Sequence, residues 1–322
     1  MDIYQSAVDF ISTVPVLDTW PELRTLFVRT ASMRPKYWEL PLQACEAVGG
    51  SAEQAIPAVV AMACAQISII LVDDMLDEDP RGEYNRDGFA RVANYAAGLQ
   101  AAASKAFCLG KIQSARRLSA LCGLNQMILM TALGQHLDIQ NPTDEDAYWM
   151  VVKNKSGPFF GAAFLMGALS GGALRKTANG LEEFGRCYGE IIQIHDDLND
   201  VMDVPANPDW ILGRSPLPIL FTQLVDHPER ERFLELRSHI AAPDALQEAQ
   251  DILVRSGAIS YCVDQLLRRH QFARKMLYKL ALPHPECLDI LLTEVVAPVQ
   301  RLFAETGHPL PNLTMLNGDR SV

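Results

Sequence analysis

Residues 55–79 read AIPAVVAMACAQISIILVDDMLDED. Up to Val72 only Pro57, Gln66 and Ser68 interrupt the apolar run, and then Asp73, Asp74, Asp77, Glu78 and Asp79 crowd the next seven positions. Read as a helix, the stretch places Asp73 and Asp77 on one face and Asp74 about 100° round from Asp73. Residues 193–203, QIHDDLNDVMD, repeat the arrangement: Asp196 and Asp200 share a face, Asp197 lies beside them, and the apolar GEIIQI precedes them. Both acid sets fall at the C-terminal end of an apolar helix, where the backbone dipole is already negative. Each such placement, like each i,i+4 repulsion, costs a few tenths of a kcal/mol to about 1 kcal/mol. Two of them call for a compensating cation. Oxygen-only ligands without neighbouring cysteine select a hard ion, Mg²⁺ or Mn²⁺. We expect Asp73, Asp77 and Asp196 as metal ligands, with several ions gathered around one diphosphate.

Outward from these stretches the chain reads as helix. Apolar residues recur at helical spacing over roughly 5–13, 21–31, 37–48, 53–77, 87–109, 112–136, 144–173, 176–202 and five further segments to 304, with Gly49-Gly50, Pro80, Pro142, Gly171-Gly172, Pro205 and Pro283 as stops. The expected fold is all-α, a single domain over 1–322, with the apolar 55–72 helix at the centre of a bundle. That helix also resembles a membrane span, but its polar interruptions and the acids that follow favour burial in protein. A net charge of −11 argues against a nucleic-acid partner. Seven scattered cysteines with no C-x-x-C pair, and an N-terminus without a basic or apolar leader pattern, predict a reduced cytoplasmic protein.

With these motifs in place, the sequence resembles the trans-isoprenyl diphosphate synthases, the polyprenyl synthetase family. The resemblance is collinear from about residue 30 to 225: ACEAVGG at 44–50, the first aspartate set, Arg81-Gly82, GQHLDI at 134–139, KSG at 155–157, QIHDDLND at 193–200 and GRSPLP at 213–218. It implies an isoprenoid synthase-type bundle around a central cavity, usually homodimeric. It also implies three Mg²⁺ ions that bridge Asp73, Asp74, Asp77, Asp196, Asp197 and Asp200 to an allylic isoprenyl diphosphate. Lys155 matches the lysine that holds this diphosphate, and Gln193 and Gln135 match polar residues near the ionising carbon. Arg81, Arg34 and Arg214 are further candidate substrate contacts. Ser68 and Ala65, small residues on the apolar helix, leave room for a long prenyl tail. His195 and His136 read as packed or hydrogen-bonded residues rather than catalysts.

The pattern breaks in one place. Chain elongators hold isopentenyl diphosphate with Gly-Lys-x-x-Arg-Pro ahead of the ACEAVGG helix. Here the matching positions are Arg34 and Tyr37-Trp38, the usual paired arginines are reduced to Pro80-Arg81, and GRSPLP offers Arg214 in place of lysine. A diphosphate short of cations is costly to hold. Three functions therefore stay open. The first is prenyl transfer to an acceptor in isoprenoid biosynthesis. The second is a class I terpene synthase that quenches the cation itself. The third is a non-catalytic partner subunit of a prenyl synthase.

Overall fold

The computed structural model describes residues 1–305, and all secondary structure among them is helical. The chain divides into two compact units. The first comprises Met1–Glu190 with Leu277–Leu288, and the second Ile191–Met276 with the stretch from Asp289 onward.

In the first unit, Ala52–Leu76 forms one unbroken helix, opened by a capping box in which Ser51 N donates to Gln54 Oε1 at 2.8 Å. It is long and apolar enough to cross a membrane, yet 78% of its apolar window is buried in protein, as a core helix requires. It packs along the helix Phe89–Leu109, where the buried Ser68 hydroxyl donates to Ala96 O at 3.0 Å. The most enclosed element is a different one: every residue of the helix Gly157–Ser170 is buried. Glycines admit its neighbours. A Cβ at Gly167 would stand 2.1 Å from Pro41 O, and one at Gly50 would stand 2.5 Å from Gly171 Cα. The Gly-Gly of ACEAVGG thus has two separate uses: Gly49 turns the chain at φ +88°, and Gly50 allows backbone-to-backbone contact.

Most helix limits lie within about two residues of the sequence reading, and three larger differences fall in the first unit. The expected helix 144–173 is two, Glu145–Lys155 and Gly157–Ser170. Pro158 lacks the N–H that a continuous helix would bond to residue 154, so the second helix restarts with proline in its first turn. A 3₁₀ turn, Lys36–Glu39, precedes Leu40–Ala47 in place of one helix over 37–48. A short turn, Tyr84–Asp87, is set off from Phe89–Leu109 by Gly88 at φ +82°.

The second unit has its own core, built on Val201, Trp210, Ile219, Phe233, Leu236, Ala249 and Ile252. Trp210 Nε1 and Gln250 Nε2 both donate to Val201 O at 3.1 Å, which ties down the chain just after the helix Arg175–Asp200. All seven cysteines are free thiols.

Candidate active site

The first acid set closes the Ala52–Leu76 helix, with Asp77 as its C-cap and Glu78 at φ +52° turning the chain away. Around it the structure assembles residues from two other motifs. Lys155 Nζ stands 3.1 Å from Asp73 Oδ1 and 2.6 Å from Asp138 Oδ2. Gln135 Nε2 donates to Ile69 O at 3.3 Å and reaches Asp73 Oδ1 at 3.5 Å. Burial works against the Lys155 charge, but the carboxylates of Asp73 and Asp138 outweigh it and hold the ammonium above the ordinary lysine range.

The local reason for this convergence is Gly134. It lies on the helix Ser114–Asp138, and a Cβ there would stand 2.3 Å from Lys155 N. With only hydrogen at that point, the helix touches the Lys155 main chain directly. Gln135 and Asp138, one and four residues on, then flank the lysine. Asp138 was not among the expected site residues. Its signal was present, since it is the acid of GQHLDI, but only the tertiary contact shows its use.

Asp74 is poorly hydrated and adjoins Asp79, Asp73 and Asp77, with Arg81 only partly offsetting them. Its pKa is pushed up to about 6. Arg81 folds back on Asp79 through Nε and Nη2 at 3.1 and 2.8 Å, an exposed pair. Arg34 bonds Asp2 Oδ2 at 2.9 Å and lies over the Tyr4 ring. Trp38 is fully buried and donates from Nε1 to Gln66 Oε1 at 2.8 Å, and Tyr37 stacks edge-on against Phe160. Ala65 and Ser68 are both buried, with the Ser68 hydroxyl turned to the Phe89–Leu109 helix.

In the second unit, Asp196 and Asp200 end the Arg175–Asp200 helix. Reduced hydration, then repulsion from Asp200 and Asp197, push the Asp196 pKa up to about 7. Asp197 is turned elsewhere. It is buried, its Oδ1 accepts from Gln193 Nε2 at 2.8 Å and its Oδ2 accepts from Leu217 N at 2.8 Å. Gln193 is thereby engaged with Asp197. His195 bonds the Val295 carbonyl, as a packed histidine does, whereas His136 is exposed and contacts Gln140. Arg214 approaches Asp209 at 3.9 Å.

Among the described residues, no three His, Cys, Asp or Glu side chains form a ready-made metal site. The donor chemistry nonetheless fits a hard ion that arrives with further oxygen ligands. The raised Asp74 and Asp196 mark carboxylate charge that the protein itself leaves partly uncompensated.

A family model described as polyprenyl synthetase matches residues 24–249. The chain is 32% identical over 184 residues to a geranylgeranyl diphosphate synthase of Methanosarcina mazei, a match spanning 53% of this chain and 54% of that protein. It is 26% identical over 256 residues to a short chain isoprenyl diphosphate synthase of Methanothermobacter thermautotrophicus, covering 74% and 78% of the two chains. Among solved structures, a geranylgeranyl pyrophosphate synthetase of Pyrococcus horikoshii superposes with a TM-score of 0.78 at 21% identity, covering 92% and 95% of the chains. A polyprenyl synthase of Caulobacter crescentus complexed with calcium and isoprenyl diphosphate gives 0.76 at 19% identity, covering 92% and 93%. These superpositions establish the all-α isoprenyl synthase fold, and the prenyltransferase class expected from the sequence is the class these relatives carry.

Proposed function

The chain belongs to the polyprenyl synthetase family, and from that premise we propose that it ionises an allylic isoprenyl diphosphate and transfers the prenyl group to an acceptor. One observation carries this reading: GQHLDI, KSG and the first aspartate set, far apart in sequence, meet at Asp73, Lys155, Asp138 and Gln135. When bound, magnesium would offset the charge of the departing pyrophosphate. Asp73, Asp77 and Asp196 are its proposed holders, three ions the proposed number and Mn²⁺ a substitute. Lys155 donates to the same diphosphate. Gln135 and Gln193 orient the ionising carbon, and Ala65 and Ser68 leave space for the tail. We take residues 1–322 as one catalytic domain of a cytoplasmic enzyme.

A homodimer is proposed as the working form. The Ser114–Asp138 helix carries a stripe of exposed apolar residues, Leu118, Leu129 and Leu133, that a second copy would cover. The test is sedimentation of Leu129→Glu, which should run as a monomer where the parent does not.

The acceptor side supports a second reading. Arg34 is spent on Asp2, and Tyr37, at the position matched to the family's arginine, carries no charge and packs edge-on against Phe160. This favours an uncharged acceptor, or a terpene synthase that releases a hydrocarbon or alcohol, over isopentenyl diphosphate. Incubation with Mg²⁺ and geranyl, farnesyl or geranylgeranyl diphosphate, with and without isopentenyl diphosphate, separates the cases by product mass. A longer diphosphate only with isopentenyl diphosphate means elongation, and a hydrocarbon or alcohol without it means a synthase. Diphosphates inert under every condition would leave a partner subunit or an untested acceptor.

A further inference from the structure

The first acid set has a cationic counterpart at the opposite end of the first unit, where the Ala52–Leu76 helix begins. Four connections meet there. A Cβ at Gly50 would stand 2.5 Å from Gly171 Cα, and one at Gly110 would stand 2.8 Å from Pro57 Cγ. Arg116 Nε donates to Ala173 O at 3.2 Å, and His284 N donates to Ala47 O at 3.1 Å. Arg117 Nη2 ties down the 110–113 turn through Gly110 O and Ile112 O, at 3.0 and 3.1 Å. The charges on these connections and on the helix turns beside them reverse the balance of the chain. The whole sequence has 28 Lys and Arg against 39 Asp and Glu. At this end of the first unit, Lys111, Arg116, Arg117, Arg175, Lys176 and Lys279 stand against only Glu46, Glu53 and Glu286. None of these six cations is in an ion pair among the described residues. Arg116, Arg117, Arg175 and Lys176 also occupy the first turns of their helices, where the backbone dipole disfavours a cation. Positive charge gathered this way on an acidic protein attracts an anionic partner.

Apolar side chains stand exposed among these charges. Leu174, directly before Arg175 and Lys176, is 74% exposed, and Leu109, two residues before Lys111, is 41% exposed. A nucleic acid or a soluble polyanion gives such leucines nothing to bury against. A bilayer with anionic headgroups takes both, phosphates for the cations and the acyl boundary for leucine. We propose that this end of the first unit is a docking surface for an anionic lipid bilayer, with Lys111, Arg175 and Lys176 at the headgroups and Leu174 inserted beside them. None of these residues belongs to the candidate active site. The 25-residue Ala52–Leu76 helix keeps the docking surface roughly 30 Å from Asp73, so the first acid set stays in water.

The test floats the full-length protein with vesicles of phosphatidylcholine alone, or of an equal mixture of phosphatidylcholine and phosphatidylserine. Thermal melts confirm that each variant folds. The parent should bind the mixed vesicles, ignore phosphatidylcholine alone, and lose binding as added salt shortens the reach of its charges. Each Lys or Arg near such a surface is worth about fivefold in binding, so Arg175→Glu should weaken it by at least about tenfold. Combining Lys111→Glu, Arg175→Glu and Lys176→Glu should abolish it. Arg91→Glu, an exposed reversal at the other end of the Phe89–Leu109 helix, should stay within about twofold of the parent. Leu174→Ser should cost about fivefold. A parent that binds neither vesicle, or binds both equally, overturns the proposal. Equal losses in Arg91→Glu and Arg175→Glu also overturn it, because they would report net charge rather than this surface. Binding that ignores Leu174→Ser, and that a DNA duplex or heparin competes away, overturns it in favour of a polyanion.

Discussion

The two acid-rich helix ends share a sequence pattern but differ in what the protein packs against it. At the first, Asp73 has a resident cation: Lys155, itself shared with Asp138. At the second, the middle acid is drawn into the scaffold, where Asp197 holds the first N–H of the next helix. Both ends keep one carboxylate well above its usual pKa, Asp74 at about 6 and Asp196 at about 7. The motif therefore specifies a density of oxygen ligands near a helix terminus. Which of them stay available depends on neighbours the motif does not contain.

The largest effects should come from the acids assigned to metal. Asp73→Ala and Asp196→Ala should each lower turnover of an allylic diphosphate by about 10³-fold, measured as product formed under saturating Mg²⁺. A drop in only one of them would break the equivalence of the two ends. Lys155→Met should cost about 10²-fold in kcat/KM. It should also leave Asp73 and Asp138 as uncompensated neighbours, visible as a lower melting temperature without ligand. No such melting effect should accompany Asp196→Ala, because that change relieves repulsion.

Gly134→Ala should destabilise the protein by about 1–3 kcal/mol, since a methyl group cannot be placed against the Lys155 backbone without displacing it. A denaturant melt reads the stability, and a KM rise for the diphosphate reads the displaced lysine. Pyrophosphate with Mg²⁺ at a hundredfold over its Kd should stabilise the parent by about 2.7 kcal/mol, with chelation reversing it. The smallest effect should be Arg81→Ala, under about threefold in kcat/KM, because its pair with Asp79 is exposed and local.

Much of this was legible in the sequence for a physical reason. A long apolar run ending in acids is a local signal, and both helices end with the last aspartate of each set, at the C-cap Asp77 and at Asp200. Local signals also placed most helix limits. They failed at residue 156, where periodicity continues through the Gly157-Pro158 restart. They could not show that Asp138 would meet Lys155, that Asp197 would cap Leu217, or that Arg34 would be drawn to Asp2, more than thirty residues before it. Each of these is decided by packing between distant helices, and carboxylate and guanidinium groups look alike in a sequence whether they face a ligand or a backbone amide.

Gly134 gives this a sharper form. What it contributes is a missing methyl, and the closeness that results sets the lysine by main-chain contact rather than by any side chain that could swing aside. Searches for functional positions that look only for reactive groups would pass over it. Yet a bulkier residue there would shift the ammonium with every acid and amide still in place, producing an enzyme chemically intact and geometrically mistuned.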